Sequence, residues 1–204
     1  MIKNIIFDFG DVFINLDKPA TVNQLSKLDS SFCVSGKMNE INEAYEKGLI
    51  ATDAFVSFYK SKFPAINEAS LINAWNAIIL DLPEYRLSFL EQLANEKKYR
   101  LFLLSNTNEL HIEHVINTCG SDTFNRFKDC FEKFYLSYEI RYRKPDPEIY
   151  KYVLSENKLN PEETLFIDDV KENTDAASAL RIKTWNLKPG IDDVTMLKDQ
   201  TCFG

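Results

Sequence analysis

Several polar residues stand at the ends of apolar runs in this sequence, and their types suit chemistry on a charged group. They are Asp8, Ser105, Asn106, Lys144, Asp168 and Asp169. All but Lys144 directly follow or end an apolar run, and Lys144 stands in the stretch RYRKPDPEIY. The carboxyl ends of parallel strands lie on one edge of a sheet, so we expect these side chains to converge on one site.

The three acids in this set would repel one another at close range, which would raise their pKa values. A hard divalent cation relieves such repulsion, and Mg2+ favours one or two carboxylates, water and a phosphate oxygen. Lys144 adds positive charge and Ser105 a hydroxyl, and a helix predicted to begin at residues 106–108 offers free amides for an anion. Phosphoryl transfer depends mainly on positioning and charge neutralisation, so the set predicts a phosphoryl-transfer site.

Five apolar runs predict the strands that carry these residues. They are residues 3–9, 99–105, 133–136, 164–167 and 183–187. Continuous apolar runs are typical of strands that are covered on both faces, as in parallel sheets. Helical patterns at 83–96 and 147–157 alternate with them, and Asn160-Pro161 resembles another helix start. The alternation predicts an α/β fold with a Rossmann-like doubly wound parallel sheet.

Residues 17–82 interrupt this alternation. They contain no strand-like run, whereas residues 37–45, 53–62 and 68–80 have helical patterns. We therefore predict a discontinuous core of residues 1–16 and 83–204, and a small all-helical cap domain of residues 17–82 inserted after the first strand. An insertion at the carboxyl end of a strand lies above the ligand site and can act as a lid.

The composition limits the classes of partner. The chain has 204 residues, is 45% hydrophobic and carries a net charge of -7, which suits a folded core and argues against a broad grip on nucleic acid. No apolar stretch approaches the roughly 20 residues of a membrane span, and we expect no secretion signal in the first residues. The four cysteines, which include Cys202, form no C-x-x-C pair, so we expect reduced thiols. We expect a cytoplasmic protein acting on a small molecule, with no membrane or nucleic-acid partner and an open oligomeric state.

The motifs resemble those of the haloacid dehalogenase-like (HAD) hydrolases over nearly the whole chain. The matching stretches, in order, are FDFGDVF, LLSNTN, YRKPDPEIY and LFIDDVKEN. Within this superfamily the sequence resembles the helical-cap group that contains the bacterial alpha-glucose-1-phosphate phosphatases. The resemblance implies a Mg2+-dependent phosphomonoesterase that hydrolyses small phosphorylated metabolites, such as sugar phosphates, through an aspartyl-phosphate intermediate.

The resemblance also implies roles for individual residues. Asp8 attacks phosphorus, and water then hydrolyses the aspartyl-phosphate. Lys144 bridges Asp8 and the phosphate. Ser105 and the amides near Asn106 bind the phosphoryl oxygens.

Four residues are implied as holders of the Mg2+ ion. Asp8 and Asp169 provide carboxylate ligands, and Gly10 provides its backbone carbonyl. Asp168 mainly orients metal-bound water.

Gly10 departs from the family's usual first motif, which has a second aspartate two residues after the nucleophile. That aspartate protonates the leaving group and later activates water. Asp11 is one position further on, and a tight turn would aim its side chain elsewhere, so the source of the proton stays open. Without the acid, the enzyme should favour leaving groups that need little protonation, such as the anomeric oxygen of glucose 1-phosphate or those of aryl and acyl phosphates.

Two other functions are compatible with these motifs. A catalytically silent HAD fold that serves in binding or regulation is favoured by the missing acid and disfavoured by the retained Asp8, Ser105 and Lys144. A metal-independent haloacid dehalogenase would have no evident use for the acid pair of Asp168 and Asp169.

Overall fold

A parallel five-stranded sheet is the centre of the computed structural model, which describes residues 1–200. The strands are β1 (Asn4–Phe7), β2 (Arg100–Ser105), β3 (Lys133–Leu136), β4 (Thr164–Asp168) and β5 (Lys183–Asn186). Their order across the sheet is β3-β2-β1-β4-β5, so the chain begins in the middle strand. Asp8 directly follows this central strand, whose neighbours β2 and β4 end in Ser105 and Asp168.

The predicted α/β fold with its doubly wound parallel sheet is confirmed, and all five predicted strands are present. β3 has the predicted bounds, and the other strands differ from the predicted ends by no more than two residues. The largest difference is at β1, which was predicted to continue to Phe9. The carbonyl of Phe9 instead accepts hydrogen bonds from the amides of Phe13 and Ile14, at 2.9 and 3.1 Å, which closes a turn and ends the strand.

Helices cover both faces of the sheet. One face packs against α5 (Glu84–Asn95), α6 (Glu109–Cys119) and α7 (Ser121–Asp129), and the other against α9 (Pro147–Asn157) and α10 (Lys171–Ala179), with α8 (Ser137–Ile140) following β3. The prediction for α9 is correct at both ends. The helix predicted to start at Pro161 is wrong, because a single 3-10 turn, Pro161–Glu163, leads directly into β4.

Four helices between β1 and α5 form the all-helical cap. They are α1 (Ala20–Leu28), α2 (Gly36–Glu46), α3 (Thr52–Lys62) and α4 (Glu68–Asn76). Their buried side chains form a cluster of their own around Phe55, whose ring centroid lies 4.3 Å from that of Tyr45 and 4.6 Å from that of Trp75. Leu110 of α6 joins this cluster, so the cap packs on the core at the start of α6. The division at residues 16/17 and 82/83 stays a prediction.

Two segments of the cap differ from the sequence-based expectation. α1 was not predicted, because only two of its nine residues, Ala20 and Leu25, are buried. The helix predicted to reach Leu80 ends at Asn76, since residues 78–81 are extended against residues 15–17. The amide of Asp17 donates to the carbonyl of Ile78 (2.9 Å), and that of Leu80 donates to the carbonyl of Asn15 (3.0 Å). These two segments connect the cap to the core.

In residues 1–200, no helix combines the length and the apolar character that crossing a membrane requires. Cys33, Cys119 and Cys130 form no disulfide among the described residues, and their reduced state stays a prediction. Cys202 lies outside the described residues.

Candidate active site

Lys144 lies at the centre of the predicted site. Its side chain is 1% exposed, and its ammonium donates hydrogen bonds to Asp8 Oδ1 (2.6 Å), Asp168 Oδ2 (2.7 Å) and the carbonyl of Leu104 (2.8 Å). An ammonium has three donors, and all three are used here. Each of them contacts the end of a different one of three adjacent strands. The structure thus brings together Asp8, Lys144 and Asp168, which the sequence separates widely.

The side chain of Asn106 holds the backbone of Lys144. Its Nδ2 donates to the Lys144 carbonyl at 2.8 Å, and its Oδ1 accepts from the Lys144 amide at 2.9 Å. The peptide between Lys144 and Pro145 is cis. Because both ends of the Asn106 side-chain amide are engaged, this side chain positions Lys144, and the predicted contact with substrate is left to the backbone near Asn106.

Ser105 is buried at the end of β2. In the described part of the chain, its hydroxyl makes one long contact, 3.5 Å to the carbonyl of Asn106. The hydroxyl is therefore available to a ligand, and its role in binding a phosphoryl oxygen stays a prediction.

The start of α6 differs from the predicted anion site. The helix begins at Glu109, and the side chain of Asn108 caps it by accepting from the amide of His111 at 3.1 Å. The amide of Thr107 donates to Ser137 Oγ at 2.9 Å. The expectation of free amides is therefore wrong for Thr107 and His111, because side chains of the protein already satisfy them.

The turn after β4 holds the acid pair in a fixed orientation. Asp168 Oδ1 accepts from the amide of Val170 at 2.8 Å, and Asn173 Nδ2 donates to both carboxylate oxygens at 3.1 and 3.0 Å. At the end of β5, Asn186 donates to the carbonyls of Asp168 and Asp169 at 3.2 and 2.9 Å. The neighbouring strand and helix thus fix the direction of Asp168 before any ligand binds.

Asp169 forms an ion pair with Lys18, the second residue of the cap. Lys18 Nζ lies 2.5 Å from Asp169 Oδ2 and 2.9 Å from Asp11 Oδ2. Asp11 has a left-handed backbone, with φ 54°, and its Oδ1 accepts from the amide of Leu16 at 3.2 Å. Asp11 therefore closes a turn and binds Lys18, and it is absent from the lining of the cavity beside Gly10.

Burial dominates the electrostatics of this cluster. It raises the pKa of Asp8 to about 7, with repulsion from Asp168 and Asp169 adding to the effect and Lys144 opposing it. Burial lowers the pKa of Lys144, but the attraction of Asp168 and Asp8 exceeds this effect and leaves that pKa above its ordinary value. Burial also raises the pKa of Asp169, against the opposing effect of Lys18.

The acids fit a divalent cation. One carboxylate oxygen each of Asp8, Asp168 and Asp169 lies within 4.8 Å of the others. With Asp11, four carboxylates face the two ammonium groups described above, so negative charge is in excess. Oxygen ligands with excess negative charge suit a hard ion such as Mg2+, which would relieve the repulsion that raises the pKa of Asp8.

Leu16 fills the space beside Gly10. A Cβ on Gly10 would lie 2.7 Å from Leu16 Cδ1, closer than side chains tolerate without movement. Leu16 is held there by the connection to the cap, where it pairs with Ile79. An apolar group therefore stands where the family's usual motif would project its second aspartate.

A cavity of about 120 Å3 opens beside Gly10 and Ser105, between the edge of the sheet and the cap. Most of its wall is apolar and consists of Phe9, Ile14, Leu16, Ile78, Ile79, Ile112 and Val115. Its polar part consists of Glu46, Ser105, Asn106, Thr107 and His111. A ligand bound at the strand ends would extend into this space.

Sequence reasoning missed four residues where the cap meets the core. Glu46 Oε2 accepts from Arg143 Nε at 2.6 Å. The ring of His111 stacks on that of Trp75 at 5.4 Å, and its Nε2 lies 3.4 Å from the Trp75 carbonyl oxygen. Arg143 had one sequence signal, since it directly precedes Lys144. The other three had none, because the pairing of cap residues with core residues depends on the fold.

Comparisons with known proteins agree with this arrangement. A family model described as haloacid dehalogenase-like hydrolase matches residues 2–181. The D-ribitol-5-phosphate phosphatase of Bacteroides thetaiotaomicron is 28% identical over 203 residues, which cover 94% of this chain and 95% of that protein. A HAD family enzyme of the same organism, in complex with magnesium, has a TM-score of 0.85 and 35% identity over 98% of this chain and 99% of its own. With magnesium and inorganic phosphate, that enzyme has a TM-score of 0.77 and 33% identity over 94% and 97% of the two chains.

His111 gives rise to a pH dependence of stability. Burial under the cap lowers its pKa from 6.5 to about 4, although its contact with the Trp75 carbonyl opposes this. Between these values the unfolded chain binds a proton that the folded protein does not. The contribution of His111 to the free energy of unfolding is therefore fully present above pH 6.5. As the pH falls toward 4, the free energy of unfolding decreases by about 1–3 kcal/mol.

Urea denaturation at pH 7.5 and pH 5 measures this effect. We expect His111→Gln to lose less stability between the two pH values than the wild type does. His114→Gln, which changes the chain's other histidine, should keep the wild-type dependence. Equal losses in wild type and His111→Gln would contradict the assignment.

Proposed function

Since this chain belongs to the haloacid dehalogenase-like hydrolase family, we propose that it is a Mg2+-dependent phosphatase that hydrolyses small phosphorylated metabolites. The observation that carries the proposal is the buried Lys144, which holds Asp8 beside the acids Asp168 and Asp169. The phosphatase among the relatives, and the structural neighbour with magnesium and phosphate, support the same activity.

Asp8 is the nucleophile in this proposal. Lys144 contacts Oδ1 of Asp8, whereas Oδ2 of Asp8 has no hydrogen-bond partner within residues 1–200. Oδ2 is therefore the oxygen that is free to attack. A bond forms between this oxygen and phosphorus while the bond from phosphorus to the leaving group breaks and its electron pair leaves with that group. Water then attacks the aspartyl-phosphate, which frees inorganic phosphate and restores Asp8.

The remaining residues of the site bind the phosphoryl group and the ion. Ser105 donates a hydrogen bond to a phosphoryl oxygen, while Lys144, whose three donors are already engaged, attracts the phosphate by its positive charge. Asp8, Asp169 and the carbonyl of Gly10 would hold Mg2+, and Asp168 would orient its water. When bound, the ion supplies positive charge that neutralises the phosphoryl oxygens.

The two alternatives have less support. A silent binding protein would have no need for a reactive acid that is buried and held by a lysine. A haloacid dehalogenase needs no metal, which would leave the excess negative charge of the acid cluster unbalanced. The cytoplasm is the proposed location.

Activated leaving groups are the proposed substrates, with glucose 1-phosphate as the first candidate. Leu16 beside Gly10 makes the nearest wall apolar, so no acid at this position can protonate the departing oxygen. An anomeric oxygen departs more readily than that of a simple alcohol. The relative that is named for D-ribitol 5-phosphate favours a different candidate, a polyol phosphate, whose departing oxygen is that of a simple alcohol and is not activated.

Replacement of Asp8 tests the proposed activity. With Mg2+ and p-nitrophenyl phosphate, Asp8→Asn should lower kcat by roughly 1,000-fold or more, since the nucleophile is lost. A chelator should stop the wild type. Asp175→Asn, which alters only an exposed pair with Lys171, should keep the wild-type rate. A wild type that hydrolyses no phosphate ester would support the silent protein, and one that ignores the chelator would contradict the role of the metal.

A comparison of glucose 1-phosphate with glucose 6-phosphate tests the leaving-group preference. The wild type should have a higher kcat on the 1-phosphate by roughly 100-fold, the lower range of general acid catalysis. Gly10→Asp combined with Leu16→Ala gives an acid the space it needs and should raise the rate on the 6-phosphate, whereas Leu16→Ala alone should not. Equal wild-type rates, or a preference for the 6-phosphate, would refute this preference.

A further inference from the structure

Glu46 is the charged side chain that the cap contributes to the cavity. It is the last residue of α2, its side chain is 23% exposed, and it shares the cavity wall with Gly10 and Ser105. The other cap residues in this wall are Ile78 and Ile79. Glu46 is therefore the group through which the cap can form a hydrogen bond to a molecule bound there.

One oxygen of this carboxylate is engaged and the other is available. Oε2 accepts from Arg143 Nε at 2.6 Å, and across residues 1–200 no donor contacts Oε1. A charge-assisted bond to a guanidinium is strong and directional, so Arg143 fixes the carboxylate without using its second oxygen.

The backbone on both sides of this pair is fixed against the core. Gly48 follows Glu46 by two residues and has φ +60°, and a Cβ there would lie 2.0 Å from the carbonyl oxygen of Tyr138, so the position requires glycine. On the other side, Arg143 Nη1 donates to the carbonyl of Lys144 at 3.2 Å. Glu46 therefore has a defined place relative to the lysine of the site.

We propose that Glu46 Oε1 accepts a hydrogen bond from a hydroxyl group of the leaving group. Glu46 is then a specificity-determining residue that selects polyhydroxylated leaving groups, those of sugar or polyol monophosphates, over plain alkyl groups. The apolar wall packs against the carbon skeleton, while the carboxylate goes without a partner when the hydroxyls are missing. This inference rests on the proposed phosphatase function and specifies its substrate class.

A purely structural role for the pair has different consequences. Lys47 and Asp146 form a second ion pair between the cap and the same loop, at 3.1 Å, and neither of them lines the cavity. Both pairs hold the cap against the loop, but only Glu46 can contact a leaving group. Asp146 makes no capping hydrogen bond at the start of α9, so its replacement is a matched control.

The experiment measures kcat and KM of the wild type, Glu46→Ala and Asp146→Ala on matched substrates with Mg2+. Ribitol 5-phosphate is matched with pentyl phosphate, and glucose 1-phosphate with cyclohexyl phosphate, so only the first of each pair carries hydroxyls. Glu46→Ala should raise KM for the hydroxylated substrate by roughly 10- to 100-fold and leave its kcat within about threefold of wild type. For the plain partner it should leave kcat within about threefold and keep or lower KM, because the carboxylate without a partner is gone. Asp146→Ala should leave all of them within about threefold.

Each other outcome overturns the inference. Equal losses on both members of a pair would make Glu46 a structural contact. Where only the hydroxylated substrate is affected, retained turnover of the plain substrate excludes misfolding as the cause of the loss. A loss confined to kcat on the hydroxylated substrate would make it a proton donor. If the wild type hydrolyses none of these esters or p-nitrophenyl phosphate, the proposed function itself fails, so the wild-type rate distinguishes the two failures.

Discussion

The ammonium of Lys144 joins the ends of three strands, and the arrangement of the site depends on it. Asp8 and Asp168 follow or end neighbouring strands and are both buried, so without a cation between them they would repel each other in a medium that screens charge poorly. Removing one partner from such a buried cluster typically costs about 3–5 kcal/mol, because a charge is left without compensation. The side chain of Asn106 in turn holds the backbone of Lys144, so contacts remote from any ligand set the position of Asp8, the proposed nucleophile.

The core and the cap contribute different parts of the site. The core provides Asp8, the lysine and an excess of carboxylates that suits a divalent cation, all at the ends of the strands. The cap and its connection provide the walls of the neighbouring cavity, from the apolar Leu16 beside Gly10 to the carboxylate of Glu46. If a leaving group occupies this cavity, as we propose, the cap can change which group fits without altering the residues at the strand ends.

The sequence was most informative where local pattern and function coincide. Buried strands appear as continuous apolar runs, so their ends, and with them Asp8 and Asp168, were predictable to within two residues. The connection at 78–81 was not, because its apolar residues continue a helical pattern while the backbone extends to pair with 15–17. Glu46, Leu16 and the stacked His111 could not be found either, since their significance lies in partners that only the packing of the cap on the core brings close.

A crystal structure of the protein with Mg2+ and beryllium trifluoride would show whether Asp8 is the nucleophile, because that reagent mimics a phosphoryl group bonded to a carboxylate. We expect beryllium bonded to a carboxylate oxygen of Asp8, with Lys144 Nζ still in contact with this residue and the Mg2+ ion among Asp8, Gly10 and Asp169. An adduct on another residue, or an Asp8 side chain turned away from Lys144, would contradict the assignment of the nucleophile.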